Sequence, residues 1–167
     1  MGTVTRDTNQ AKNNAPITDA AAAKNQRCRI LLIEDDIDDQ ILAKKRLSRS
    51  DMVEDVLCFS NGTELIQYLY DQGFHDRSVW CMTPMVIVLD LNMPLMDGFA
   101  VLQELKSDPF LGEIPVLVVS GTQSKDDVQK AMGLKADAVF QKPLNVEKLE
   151  SYFRNAWTWP RKDMWYY

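Results

Sequence analysis

Four apolar runs in this chain each end in a group that can hold or transfer charge. Residues 30–33 run into Glu34, Asp35 and Asp36, and residues 85–89 run into Asp90 within the segment MVIVLDLNMPLMDG. Residues 114–119 end at Ser120, and residues 138–141 end at Lys142. A carboxylate at the end of a buried segment is costly unless a cation or hydrogen-bond donors replace the water it has lost. Asp90 therefore needs a partner. Which chemistry is open to it depends on the elements that bring other groups to its side.

Those elements can be read from the pattern. Val86, Ile87 and Val88 are β-branched and Pro84 and Pro94 flank the run, which favours a strand covered on both faces, although periodicity alone leaves a buried helical segment open. A strand at 30–33 precedes a helix opened by Asp38 and carrying Ile41, Leu42, Lys45 and Leu47. A shorter strand spans 55–59, a turn spans 60–62, and Leu65, Ile66, Leu69 and Tyr70 follow at helical spacing. Residues 73–84 form a loop holding His75 and Trp80. After the strand ending at Asp90 comes a helix with Phe99, Val101, Leu102 and Leu105 on its apolar side, ended by Pro109. A strand at 114–119, a weaker helix at 125–132 and a brief strand at 138–141 follow, and Asn145 caps a last helix with Val146, Leu149, Tyr152 and Phe153.

Strands alternating with helices imply βαβ units and a parallel sheet with helices on both faces. Right-handed crossovers then give an α/β doubly wound sheet, which with five strands has the usual order 2-1-3-4-5. In that topology the ends carrying Glu34 and Asp35, Asp90, Ser120 and Lys142 share one rim. Clustered carboxylates raise one another's pKa unless a cation neutralises them. Oxygen donors in an open site suit a hard ion such as Mg2+. A bare structural ion-pair cluster on the same scaffold satisfies the spacing equally well.

Composition narrows the classes. The 167 residues suit one domain. A net charge of -5 and a pI near 4.9 argue against a nucleic-acid grip, which leaves a basic stripe. No run of about 18 apolar residues is present to span a membrane. Cys28, Cys58 and Cys81 lack paired spacing and read as reduced cytoplasmic thiols. Residues 1–27, with few large apolar side chains, are expected to form a disordered arm. Residues 28–156 form the domain, and residues 157–167 an aromatic tail.

The segments ILLIEDD at 30–36, VIVLDLNMPLMDGF at 86–99, VLVVSG at 116–121 and QKP at 141–143 together resemble the receiver domain of two-component response regulators. Within that family the chain is similar to single-domain receivers of the phytochrome-partner and chemotaxis type. The resemblance implies a flavodoxin-like receiver fold and a phosphoryl group taken from a histidine kinase or histidine phosphotransfer protein in a phosphorelay. Asp90 would be the phosphoacceptor. Asp35 would bind Mg2+ directly and Glu34 through water, with Asp90 and the backbone carbonyl of Asn92 completing the protein ligands. Lys142 would pair with one phosphoryl oxygen and Ser120 would donate to another; the bond before Pro143 would be cis. Output would be by contact with a downstream protein, and the chain would catalyse only its own phosphorylation and dephosphorylation.

Two departures from the family pattern stand out. The acidic pair reads Glu34-Asp35, with Asp36 able to supply the second acid if the strand ends one residue later. Val139 occupies the position where many receivers carry a switching aromatic; Phe140 is adjacent, but a one-residue step points it to the other face. Two rival functions remain. A haloacid dehalogenase-type hydrolase also uses an Asp nucleophile, but that family wants a second Asp where Asn92 stands. A receiver-shaped adaptor would work without phosphorylation.

Of the residues outside the set, His75 reads as a surface loop residue, Met93 and Met96 as loop packing or partner contacts, and Cys58 and Cys81 as buried packing groups. The tail, with Trp157, Trp159, Trp165, Tyr166 and Tyr167, either folds back on the domain or anchors a partner, a second copy of the chain included.

Overall fold

The computed structural model describes residues 27–74, 84–93, 97–121 and 124–156. His75, Trp80, Cys81, Met96 and the tail at 157–167, whose roles the sequence analysis anticipates, lie outside them, as does the arm apart from Arg27, whose guanidinium donates to the Val53 carbonyl at 2.7 Å. Five parallel strands lie in the order β2-β1-β3-β4-β5: β1 Cys28–Ile33, β2 Val53–Phe59, β3 Met85–Asp90, β4 Val116–Ser120 and β5 Ala138–Gln141. Among the described residues five α-helices connect or follow them: α1 Ile37–Leu47, α2 Gly62–Asp71, α3 Gly98–Ser107, α4 Lys125–Gly133 and α5 Val146–Asn155. A short 3-10 turn, Leu111–Glu113, leads into β4. The expected doubly wound, flavodoxin-like sheet is the one observed.

Alternation along the strands sorts the core into two layers. Leu31, Ile33, Ile87, Leu89, Val116 and Val118 pack with Leu65 and Leu69 of α2, Leu102 and Leu105 of α3 and Ala131 of α4. Ile30, Leu32, Val86, Val88, Leu117 and Val119 pack on the opposite face with Leu47 of α1 and with Leu149 and Phe153 of α5. β3 is buried at all six positions, which explains its unbroken apolar reading. Asp90 follows the parity of Val86 and Val88 and so falls on the face covered by α1 and α5.

The helix ends are chemically specified. Asp36, Asn61, Asp97, Ser124 and Asn145 each accept from a backbone N–H of the first turn they cap. Two details differ from the sequence reading. α1 begins at Ile37, not Asp38, because Asp36 serves as the cap and accepts from the N–H groups of Asp38 and Asp39 at 2.9 Å. Of the four residues read at helical spacing on α1 only Leu47 is buried; Ile41 and Leu42 are 59% and 45% exposed, as is Ile37 at 63%. Leu47, at its C-terminal end, is the buried residue of this helix.

Val139 and Phe140 part as the pleat requires. Val139, opposite Val118, packs into the layer of α3 and α4, whereas Phe140 meets Tyr152 of α5 edge-on at 6.3 Å between ring centres.

Candidate functional site

Parallel register brings the strand ends to one rim. Ile33 lies opposite Leu89, Asp90 opposite Val119 and Ser120 opposite Gln141, so Glu34, Asp90, Ser120 and Lys142 follow one another across three neighbouring pairs. Glu34, Asp90 and Ser120 are buried and Lys142 half-buried.

Lys142 ties the rim together. Its ammonium donates to Glu34 Oε2 at 2.6 Å and to Asp90 Oδ2 at 2.9 Å, the partner that the burial of Asp90 demanded. Asp90 Oδ1 accepts the backbone N–H of Asn92 at 3.0 Å. The Asn92 side-chain amide donates to Ser120 Oγ at 3.4 Å, drawing the ends of β3 and β4 together. The Lys142–Pro143 peptide bond is cis.

The choice between Glu34 and Asp36 is decided by backbone geometry. Glu34 turns inward to Lys142, and Asp36 is spent on the cap of α1. Glu34, Asp35 and Asp90 each present a carboxylate oxygen within 4.8 Å of the others. Three clustered oxygen donors beside an open rim fit a hard divalent cation better than a softer metal.

The electrostatics follow from burial and crowding. Burial pushes the Glu34 carboxyl above its ordinary 4.5, and the Asp90 charge adds to this, while the bond from Lys142 pulls the other way. For Lys142, burial works against the charged form, but the Glu34, Asp90 and Asp39 carboxylates outweigh it and raise the ammonium above its ordinary 10.5. Lys142 is thus a fixed positive charge.

One member of the site escaped the sequence reading. Asp39, in the first turn of α1, receives a third bond from the Lys142 ammonium at 3.1 Å. Once Asp36 is recognised as the cap, the first turn places Asp39 near the rim; taking Asp38 as the helix start hid that signal. Gln40 fixes the same turn by donating to the Glu34 carbonyl at 3.2 Å. Gly98 lets α3 start against the site, since a Cβ there would lie 2.6 Å from the Asp90 carbonyl oxygen and 2.7 Å from Leu91 Cα. A cavity of about 290 Å3 opens beside Asp90 and Lys142, with Leu42, Ala43, Arg46, Val88 and Leu144 among its walls.

Comparison with known proteins agrees with this geometry. The model of the response regulator receiver domain matches residues 30–154. Response regulator Rcp1 of Synechocystis sp. is 33% identical over 120 residues, covering 72% of this chain and 80% of that protein. The crystal structure of the phosphorylated cyanobacterial phytochrome response regulator RcpA is 32% identical with a TM-score of 0.58, over 77% of this chain and 89% of that one. The Mn2+-bound form of Rcp1 is 30% identical with a TM-score of 0.56, over 76% of this chain and 89% of that one. With a single lysine joining acids from two strand ends of a 2-1-3-4-5 sheet, and a family match that takes in part or all of each of the five strands, this chain belongs to the response regulator receiver domains of two-component signalling.

Proposed function

We propose that the chain accepts a phosphoryl group on Asp90 from a histidine kinase or histidine phosphotransfer protein, with Mg2+ as the ion, and signals by protein contact. The observation that carries this reading is the Lys142 ammonium, held within 2.9 Å of Asp90 beside the Glu34, Asp35 and Asp90 oxygens. An Asp90 carboxylate oxygen attacks phosphorus; the bond from phosphorus to the donor nitrogen breaks, its electron pair stays on that nitrogen, and an aspartyl phosphate results. Lys142 pairs with a phosphoryl oxygen, and the Ser120 hydroxyl donates to another. Glu34, Asp35, Asp90 and the backbone carbonyl of Asn92 would hold Mg2+, which when bound neutralises the carboxylates and the incoming phosphoryl oxygens. Positioning and charge are what phosphoryl transfer chiefly requires. That RcpA has been crystallised phosphorylated and Rcp1 with Mn2+ supports both parts of the reading.

The partner reading rests on the same rim. Ile37, Ile41 and Leu42 leave apolar surface on α1, and Leu42 lines the cavity where a donor protein would approach Asp90. The cysteines Cys28 and Cys58 are free thiols, in keeping with a cytoplasmic protein, and none of the described helices is long and apolar enough to cross a membrane. Its catalysis is confined to its own phosphorylation and dephosphorylation.

The test is incubation with acetyl phosphate, with and without Mg2+, read by intact mass on wild type and Asp90→Asn. A single phosphoryl adduct that needs Mg2+ and is lost in the variant is expected. No adduct, together with no binding of beryllofluoride, would leave a phosphorylation-independent adaptor as the better account.

A further inference from the structure

Lys142 has three N–H groups and three carboxylates around it: Glu34 at 2.6 Å, Asp90 at 2.9 Å and Asp39 at 3.1 Å. Two of these acids belong to the set spaced for a divalent ion, and Asp39 does not. With Glu34 and Asp90 engaged by an ion and a phosphoryl group, Asp39 would be the carboxylate left to hold the ammonium. Its own position is well determined. The Asp39 N–H donates to the capping Asp36 carboxylate at 2.9 Å, and Gln40 beside it donates to carbonyls at the ends of β1 and β2, Glu34 and Phe59, at 3.2 and 3.5 Å.

We propose that Asp39 is a positioning residue for phosphoryl transfer: it holds the Lys142 ammonium beside Asp90, so that the charge is already aimed at the phosphoryl oxygens. The inference rests on Asp90 being the phosphoacceptor. It opposes two simpler accounts. An ion pair whose acid is 53% exposed can be without consequence, and a further negative charge at the rim can merely repel an anionic donor. Each account gives a different sign.

The experiment measures the rate constant for phosphorylation by acetyl phosphate at saturating Mg2+ in wild type, Asp39→Asn, Asp39→Glu, Lys142→Ala and the Asp39→Asn/Lys142→Ala double variant. Beryllofluoride affinity and Mg2+ affinity are measured on the same proteins. Asp39→Asn is expected to slow phosphorylation about fivefold, the upper range for an exposed pair, and to weaken beryllofluoride by a similar factor while leaving Mg2+ affinity within about twofold. Asp39→Glu restores part of the rate. With Lys142 absent, the Asn substitution should have no further slowing effect, because Asp39 acts through that lysine.

An unchanged or faster Asp39→Asn protein overturns the proposal, as does equal slowing with and without Lys142. Those results leave Asp90 as phosphoacceptor if the wild type forms its adduct. A wild type that forms no adduct and binds no beryllofluoride overturns the phosphoacceptor reading and the role of Asp39 with it.

Discussion

Replacing Lys142 with Met tests the charge balance of the site directly. The substitution keeps an unbranched side chain out to Cε and removes the ammonium, which lies 2.6 Å from Glu34 and 2.9 Å from Asp90, carboxylates with 5% and 3% exposed side chains. Removing one partner of a buried pair costs about 3–5 kcal/mol, because the remaining charge is left uncompensated. Lys142 is itself 24% exposed, so water reaches the gap and the loss falls to about 2–4 kcal/mol. In urea with EDTA this lowers the unfolding midpoint by about 1–2 M at an ordinary slope. A divalent ion held by Glu34, Asp35 and Asp90 would neutralise the same charges without a competing ammonium. Mg2+ should therefore bind the variant about tenfold or more tightly than wild type and, at about 100-fold over its dissociation constant, regain about 2.7 kcal/mol. The assay is urea unfolding followed by circular dichroism, with and without Mg2+. A variant as stable as wild type in EDTA, or one that Mg2+ stabilises less than wild type, would refute the reasoning.

Other predictions follow from single contacts. Gly98→Ala should lose about 1–3 kcal/mol, since the new Cβ would press on the Asp90 carbonyl and Leu91, whereas Gly133→Ala, with nothing within 4 Å, should gain up to about 1 kcal/mol; urea midpoints compare them. The Tyr70 hydroxyl donates to Asp108 at 2.5 Å, and this bond, with a smaller part from burial, raises the phenol above its ordinary 10.0. A raised folded value means that its stabilisation is complete below about pH 10 and is lost as pH rises through the folded value. Burial raises the Asp108 carboxyl, but Tyr70 and the N–H groups of Leu111 and Phe110 outweigh it and hold it below 3.8, so that contribution is lost as pH falls through the folded value. Ultraviolet titration of Asp108→Asn should show one tyrosine ionising at lower pH than in wild type. The Cys28 thiol is fully buried and pushed up to about 12 by that burial, so a disulfide reagent at pH 8 should modify it only on unfolding, seen by peptide mass mapping.

The sheet order, the five strands and most of the rim were legible in residue order alone, for a physical reason. A strand buried on both faces must be apolar throughout, so β3 announced itself, and the charged residue ending it had to face solvent or a partner. Turn and cap chemistry is equally local: residues 60–62 read as a turn, and Asn145 sits where a side-chain oxygen must replace a missing backbone acceptor. Phe140 and Val139 were separable because a strand alternates faces. What one strand end leaves open is which of several adjacent acids turns inward. Glu34 and Asp36 differ by two positions, and only the course of the chain from β1 into α1 assigns the first to Lys142 and the second to the helix cap. Asp39 was hidden for the same reason, since it joins the site through a helical turn whose start was misplaced. The exposure of Ile41 and Leu42 could not be read from their spacing either, because it depends on what tertiary packing sets against α1. Local pattern determined the elements and the ends of the strands; only tertiary packing decided which acids share one lysine.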